Sequence, residues 1–182
     1  MRILLVDNED SFTRNLEHLL AATVGRAPEV LPYARFQADL AAECDMLVIS
    51  PGPGHPREYP AYAPLFADRE QGEADTPVLG VCLGMQIINE CFGGRTERLP
   101  GCVHGRAEDI GFLDRRERVA RYHSLHISRL GHGLEAFAAT DNGMLMALRH
   151  GSRPFLGYQF HPESFLTGNG EVFIRHALRE LL

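Results

Sequence analysis

The chain has 182 residues, 45% hydrophobic and 23% charged. That composition fits one globular domain over residues 1–182 and excludes a disordered, collagen-like or coiled-coil chain. The formal net charge is −6 and all 18 basic residues are Arg, which argues against a cationic grip on nucleic-acid backbone and leaves no lysine for Schiff-base chemistry.

The longest apolar runs, such as Ile3–Val6 and Met46–Ile49, fall far short of the ~20 residues of a membrane helix. Met1 leads straight into such a run with no basic segment before it, so no signal peptide and a cytoplasmic location are expected. The cysteines Cys44, Cys82, Cys91 and Cys102 form no C-x-x-C pair and are expected to be reduced.

In chain order, Arg2–Asp7 reads as a buried parallel strand. Asp10 or Ser11 offers an N-cap oxygen to a helix over Phe12–Ala22, with Phe12, Leu16, Leu19 and Leu20 on one face. Glu29–Tyr33 and Asp45–Ser50 are further strands. Ser50–Pro56 (SPGPGHP) must be a loop. A helix around Tyr62–Gln71, a strand at Pro77–Val81 and a helix at Leu83–Phe92, stopped by Gly93-Gly94, follow. Such alternation implies an α/β sandwich, a mainly parallel open sheet with helices on both faces. Arg95–Arg118 is polar and weakly periodic. Strand-like pieces at Val119–Tyr122, Leu145–Arg149 and Phe155–Phe160 suggest a small antiparallel extension, with Thr140–Gly143 (TDNG) as a hairpin turn. Glu171–Leu182 is amphipathic and helical.

Three segments carry chemistry. Gly80-Val81-Cys82-Leu83-Gly84 is a strand-to-helix turn with Gly two positions either side of a nucleophilic residue type. The turn lifts the side chain clear of the sheet, and the helix N-terminus favours a thiolate. A buried structural Cys in a tight turn is the competing reading. Cys44, Cys91 and Cys102 lack such a setting and read as structural. Second, His161 and Glu163 in Gln159–Ser164 (QFHPES) are two apart on an extended segment, so both face one site. A base needs such an orienting acceptor, although a lone H-x-E is more often a surface pair. Third, SPGPGHP at the carboxyl end of a parallel strand is a stiff loop with exposed N–H groups, suited to an oxyanion hole or ligand cradle, although taken alone the motif reads more readily as a rigid surface turn.

With these residues in view, the chain resembles the class I, triad-type glutamine amidotransferases, and within them component II of anthranilate synthase or aminodeoxychorismate synthase. The segments are DNEDSFTRNL (Asp7–Leu16), SPGPGHP, GVCLGMQ (Gly80–Gln86), RYHSL (Arg121–Leu125), MALRH (Met146–His150) and QFHPESFLT (Gln159–Thr167), in the family's order along nearly the whole chain. The resemblance implies a flavodoxin-like fold. It implies that Cys82 attacks the side-chain amide of glutamine, that His161 is base and then acid, and that Glu163 orients His161. It assigns the oxyanion hole to the Gly54 and Leu83 N–H groups, and glutamine binding to Gly52, Gly54, Gln86, Ser124 and Leu125. Ammonia would pass to a separate chorismate-using synthase subunit docked near the active-site mouth. No cofactor or metal is implied for this chain; Mg²⁺ is expected on the partner.

Asp7, Asn8, Asp10 and Ser11 belong to the family signature, but capping and sheet-edge hydrogen bonds account for them. His123 is expected to be structural, and His104 with Gly105 matches a His-Gly-Lys segment with Arg106 at the Lys position. Met85 stands where many relatives have His. The stretch from Gly105 to Arg121 is shorter than in the family, which puts its hairpins in question. The alternatives are a glutaminase serving another acceptor, such as GMP or carbamoyl-phosphate synthesis, a catalytically silent subunit, and a stand-alone cysteine hydrolase.

Overall fold

Alternate side chains along each apolar run feed two different cores, which is why the runs are apolar on every position. A computed structural model describes residues 1–67, 75–99 and 105–182. The elements of the first half are β1 (Ile3–Asp7), α1 (Thr13–Val24), β2 (Glu29–Pro32), β3 (Met46–Ile49), α2 (Ala63–Phe66), β4 (Val78–Val81) and α3 (Leu83–Cys91). The second half holds β5 (Arg95–Arg98), β6 (Arg106–Phe112), β7 (Arg115–Arg121), β8 (Leu125–Arg129), β9 (Leu134–Thr140), β10 (Leu145–His150), β11 (Phe155–Tyr158) and α4 (Gly170–Leu181). Ile3 and Leu5 of β1, Met46 and Val48 of β3 and Leu79 and Val81 of β4 pack with Leu16 and Leu20 of α1 and Phe173, Ile174 and Ala177 of α4. The intervening Leu4, Val6, Leu47, Ile49 and Val78 face the opposite way, toward Leu65 and Phe66 of α2 and Leu83, Ile87 and Ile88 of α3. Helices therefore cover both faces of the sheet.

The main sheet runs in the order β2-β1-β3-β4-β11-β10-β9-β6-β7. The pairs from β2 to β11 are parallel. From β11 onward every pair is antiparallel. A two-stranded antiparallel sheet, β5 with β8, lies apart from it. The antiparallel part is thus larger than the sequence suggests: β5, β6, β8 and β9 had no apolar run to mark them. The short Gly105–Arg121 stretch still forms a full hairpin, with seven residue pairs in register from Arg106↔Arg121 to Phe112↔Arg115. The TDNG turn joins β9 to β10 as expected, and Gly143 donates to the Thr140 carbonyl at 2.9 Å.

Two local expectations need correction, and the remaining cysteines can be placed. The helix expected near Tyr62–Gln71 is broken up: Pro56–Glu58 and Pro60–Tyr62 are 3₁₀ turns, α2 is a single turn, and 68–74 lie outside the described residues. The prolines explain this, since each removes a backbone donor. The N-cap of α1 is Phe12, without a side-chain cap. Asp10 acts one step earlier, accepting from the Phe12 N–H at 2.7 Å, and its carbonyl accepts from Thr13. Finally, Cys91 is exposed, while Cys44 is half-buried with its thiol on the Ala41 carbonyl; Cys102 and His104 lie outside the described residues.

Candidate active site

Four parallel strands end on one edge, and the segment following each contributes to one cleft. Asp7–Ser11 follows β1, Ser50–Gly54 follows β3, Cys82 follows β4, and His161 follows β11. A cleft of about 450 Å³ lies between them, lined by Gly52, Gly54, Cys82, Leu83, Gln86, Ser124 and Leu125 among others. Ligands settle at the carboxyl ends of parallel strands for this reason: the connections diverge there and leave a crevice.

Cys82 occupies the turn between β4 and α3 with φ +54° and ψ −100°, a conformation that costs a non-glycine residue about 1–3 kcal/mol. Its backbone is held from outside, its N–H donating to the Tyr158 carbonyl of β11 at 2.7 Å. The flanking glycines are required by contact. A Cβ on Gly80 would stand 2.4 Å from the Gly84 carbonyl carbon, and one on Gly84 would stand 2.4 Å from the Ile49 carbonyl oxygen. Only with both positions bare does α3 come close enough to β3 and β4 to hold the turn. Leu83 begins α3, so its N–H has no acceptor within the helix.

His161 and Glu163 are both buried, and His161 Nδ1 lies 2.7 Å from Glu163 Oε1. The His161 backbone is pinned to β7 by its N–H on the Ala120 carbonyl at 3.0 Å, and its own carbonyl accepts from the Thr167 hydroxyl at 2.6 Å. Phe12 and Tyr122 pack their rings against the imidazole, with centroids 5.5 and 5.1 Å away. Its Nε2 is buried without a hydrogen-bond partner among the described residues. Burial disfavours the charged ring. Negative charge at Cys82 and the Glu163 carboxylate outweigh it and hold the His161 pKa well above the ordinary value.

The proline–glycine loop is braced from three sides. Asn8 donates its backbone N–H to the Ser50 hydroxyl at 2.9 Å and its side-chain N–H to the Ser50 carbonyl at 2.8 Å. The Tyr62 hydroxyl donates to Asn8 Oδ1, the Tyr59 hydroxyl donates to the Pro53 carbonyl, and Glu58 accepts from the His55 N–H. Gly54 has φ +75°, and a Cβ there would meet the Glu58 carboxylate at 2.8 Å. Asp7 accepts from Glu9 N–H and from the Thr13 hydroxyl, so the signature after β1 is mainly hydrogen-bonding scaffold, as its residue types suggest. Glu9, Asp10 and Ser11 also line the cleft.

Of the site residues singled out from sequence, Gly52, Gly54, Cys82, Leu83, Gln86, Ser124 and Leu125 line this cleft, while His161, packed on the cleft-lining Tyr122, and its partner Glu163 are buried. Sequence reasoning missed Tyr122, which lines the cleft, packs on His161 and shares a 3.0 Å hydrogen bond with Ser164. It also missed Arg121 and Glu108. Arg121 is buried, pairs with Glu108, and donates from Nε to His123 Nε2 at 3.1 Å. No periodicity marks a buried Arg on a polar strand; the one signal was its place beside Tyr122 and His123. His123 in turn places Nδ1 2.7 Å from the Leu125 carbonyl, and burial, with Arg121 nearby, lowers its pKa to about 4. Among the described residues no group of three His, Cys, Asp or Glu could hold a metal ion, and no helix is long and apolar enough to cross a membrane.

Comparison with known proteins agrees with this geometry. Residues 4–181 match the family model for class-I glutamine amidotransferases. The chain is 40% identical to the pyocyanine-specific anthranilate synthase component 2 of Pseudomonas aeruginosa, over 98% of this chain and 93% of that protein. It is 37% identical to anthranilate synthase component 2 of Thermus thermophilus, over 99% and 93% respectively. It is 44% identical to the aminodeoxychorismate synthase of Streptomyces griseus over 93% of this chain, but spans only 25% of that longer protein. The solved structure of a candidate GMP synthase subunit from Thermoplasma acidophilum superposes with a TM-score of 0.85 at 21% identity over 100% of this chain and 94% of the other, a likeness of fold. The chain belongs to the class-I glutamine amidotransferase family.

Proposed function

We propose that this chain hydrolyses L-glutamine at Cys82 and passes the ammonia to a separate chorismate-using synthase subunit, as component II of an anthranilate synthase. The observation that carries the reading is a strained cysteine lining the cleft beside a buried His–Glu pair. In this reading the Cys82 sulfur attacks the side-chain carbonyl carbon of glutamine, and the developing oxyanion takes hydrogen bonds from the Gly54 and Leu83 N–H groups. The C–N bond breaks as His161 gives its Nε2 proton to the leaving nitrogen. A γ-glutamyl thioester remains. Water gives a proton back to His161, attacks the thioester carbon, and releases glutamate with the sulfur restored. Glu163 holds the imidazole on Nδ1 and stabilises its charged form. Gly52, Gly54, Gln86, Ser124 and Leu125 hold the substrate. The chain needs no cofactor of its own, Mg²⁺ serves the partner, and the pair works in the cytoplasm.

A second reading, component II of aminodeoxychorismate synthase or a subunit shared by both enzymes, is favoured by the 44% identity to the Streptomyces griseus relative. The test mixes this chain with each synthase subunit, chorismate, Mg²⁺ and glutamine, and identifies the product. Anthranilate supports the first reading and aminodeoxychorismate the second. No product from glutamine, with each synthase active on free ammonia, overturns both. Cys82→Ala should abolish glutamine-dependent synthesis and leave ammonia-dependent synthesis intact.

A further inference from the structure

The QFHPES segment contains a residue that the mechanism above does not use. Gln159 is fully buried, between β11 and His161, and its backbone N–H is fixed on the Met146 carbonyl of β10. Its side chain reaches across to Cys82, with Nε2 3.6 Å from Sγ. Its Oε1 accepts from Gln86 Nε2 at 2.9 Å. An amide side chain has two chemically opposite ends, so the question is which end faces the sulfur.

The neighbouring hydrogen bonds answer it. The Leu125 carbonyl can only accept, and Gln86 Nε2 lies 3.2 Å from it. Gln86 therefore turns its NH₂ toward Leu125 and Gln159. Gln159 must meet that NH₂ with its oxygen, which leaves its own NH₂ toward Cys82. The Leu125 carbonyl is placed from the other side by His123. Arg121 can only donate, so His123 Nε2 accepts and Nδ1 carries the proton given to Leu125. Donors thus converge on the Leu125 carbonyl, from Arg121 through His123 on one side and from Gln86 on the other, and Gln86 donates onward to Gln159, whose own N–H is aimed at the nucleophile. Exchanging the oxygen and nitrogen of Gln159 would put two donors face to face at Gln86 and an oxygen against the sulfur.

We propose that Gln159 is a further catalytic residue, donating a side-chain N–H to the Cys82 sulfur and stabilising its charged, attacking form. The inference rests on Cys82 being the nucleophile of the reaction proposed above. Gln159 has two effects. It adds a donor to a sulfur that has few others in a buried turn. Through Gln86, a cleft-lining residue, it also ties the orientation of that donor to the wall against which substrate rests.

The test is alkylation of Cys82 by iodoacetamide on the full chain from pH 5 to 10, followed peptide by peptide so that the exposed Cys91 does not contribute. A hydrogen bond to a charged acceptor is among the stronger ones, so Gln159→Met should move the alkylation midpoint up by about one pH unit, about a tenfold loss of reactive sulfur on the acid side. A merely structural Gln159 would change stability and leave the midpoint in place. If Gln159→Met does not fold, the wild-type chain decides: the Gln159 side-chain amide ¹H–¹⁵N signals should move with pH at the same midpoint as alkylation, and stay still in Cys82→Ala. A folded Gln159→Met with the wild-type midpoint, or amide signals indifferent to Cys82, overturns the proposal. Alkylation requires no glutamine turnover. A chain that alkylates as expected but yields no product from glutamine would overturn the glutaminase reading and leave the donor role standing.

Discussion

His123 gives the sharpest prediction about pH. It is buried, with Arg121 Nε on one ring nitrogen and the Leu125 carbonyl on the other. Protonation at Nε2 would set a second cation and a second donor against the Arg121 guanidinium. Burial, then Arg121, lower its pKa from the ordinary 6.5 to about 4. A histidine depressed in the folded state contributes stability above the unfolded value, and loses it as pH falls through the folded one. The full shift corresponds to about 3 kcal/mol, of which about 2 kcal/mol is gone by pH 5. The variant His123→Gln keeps polar capacity but cannot titrate. Urea unfolding of both proteins from pH 7.5 to 4.5 should show the wild type losing stability more steeply, the excess slope approaching about 1.4 kcal/mol per pH unit. Equal slopes, or a His123 imidazole that titrates near 6.5 by NMR, would refute the idea that burial against Arg121 keeps this ring neutral.

The other predictions concern different parts of the molecule. Glu163→Gln should lower glutamine-dependent turnover by about 10²–10⁴-fold, less than Cys82→Ala, because it removes orientation and charge but not the nucleophile. The His161 pKa is raised, so the stability from its charged ring is complete below pH 6.5 and fades as pH rises through the folded value. The unfolding deficit of Glu163→Gln should therefore be largest in acid and shrink in base. Gly84→Ala should destabilise by about 3 kcal/mol in urea unfolding, since the new methyl meets a backbone oxygen that cannot yield. Arg153 forms a forked pair with Asp75, donates to the Phe66 and Ala67 carbonyls, and lies 4.7 Å over the Phe155 ring. Arg153→Lys should cost about 1–2 kcal/mol by the same assay, because an ammonium cannot reproduce that fork.

What was legible in the sequence follows from burial. Strands β1, β3 and β4 are covered on both faces, so their apolar runs stand out and their ends were read to within a residue or two. Strand β6 (RAEDIGF) buries only Ile110 and Phe112, and β5 (RTER) only Thr96; half-exposed strands keep polar residues and lose the signal. Strand β9 (LEAFAAT) is rich in residues that favour helices, and only its pairing with β10 and β6 makes it a strand. At the site, the residues with motif spacing were readable because chemistry ties them to fixed neighbours. Gln159, Arg121 and Tyr122 were not, because what places them is hydrogen bonding between segments far apart in the chain.

The order of the sheet also says when the cleft can exist. Strand β4, which carries Cys82 at its end, lies between β3 and β11, and β11 comes after the other described strands of the sheet in chain order. The tie that holds the Cys82 backbone comes from Tyr158 of that same strand. Until Phe155–Tyr158 has emerged and paired, the Val78–Val81 segment is an open hydrophobic edge, able to accept any other strand. A nascent or truncated chain ending before β11 would thus be prone to self-association and would have no clamp on its strained turn. Cys82 gains its strained posture only after the sheet has closed around β4, so the turn is set late in the assembly of the fold.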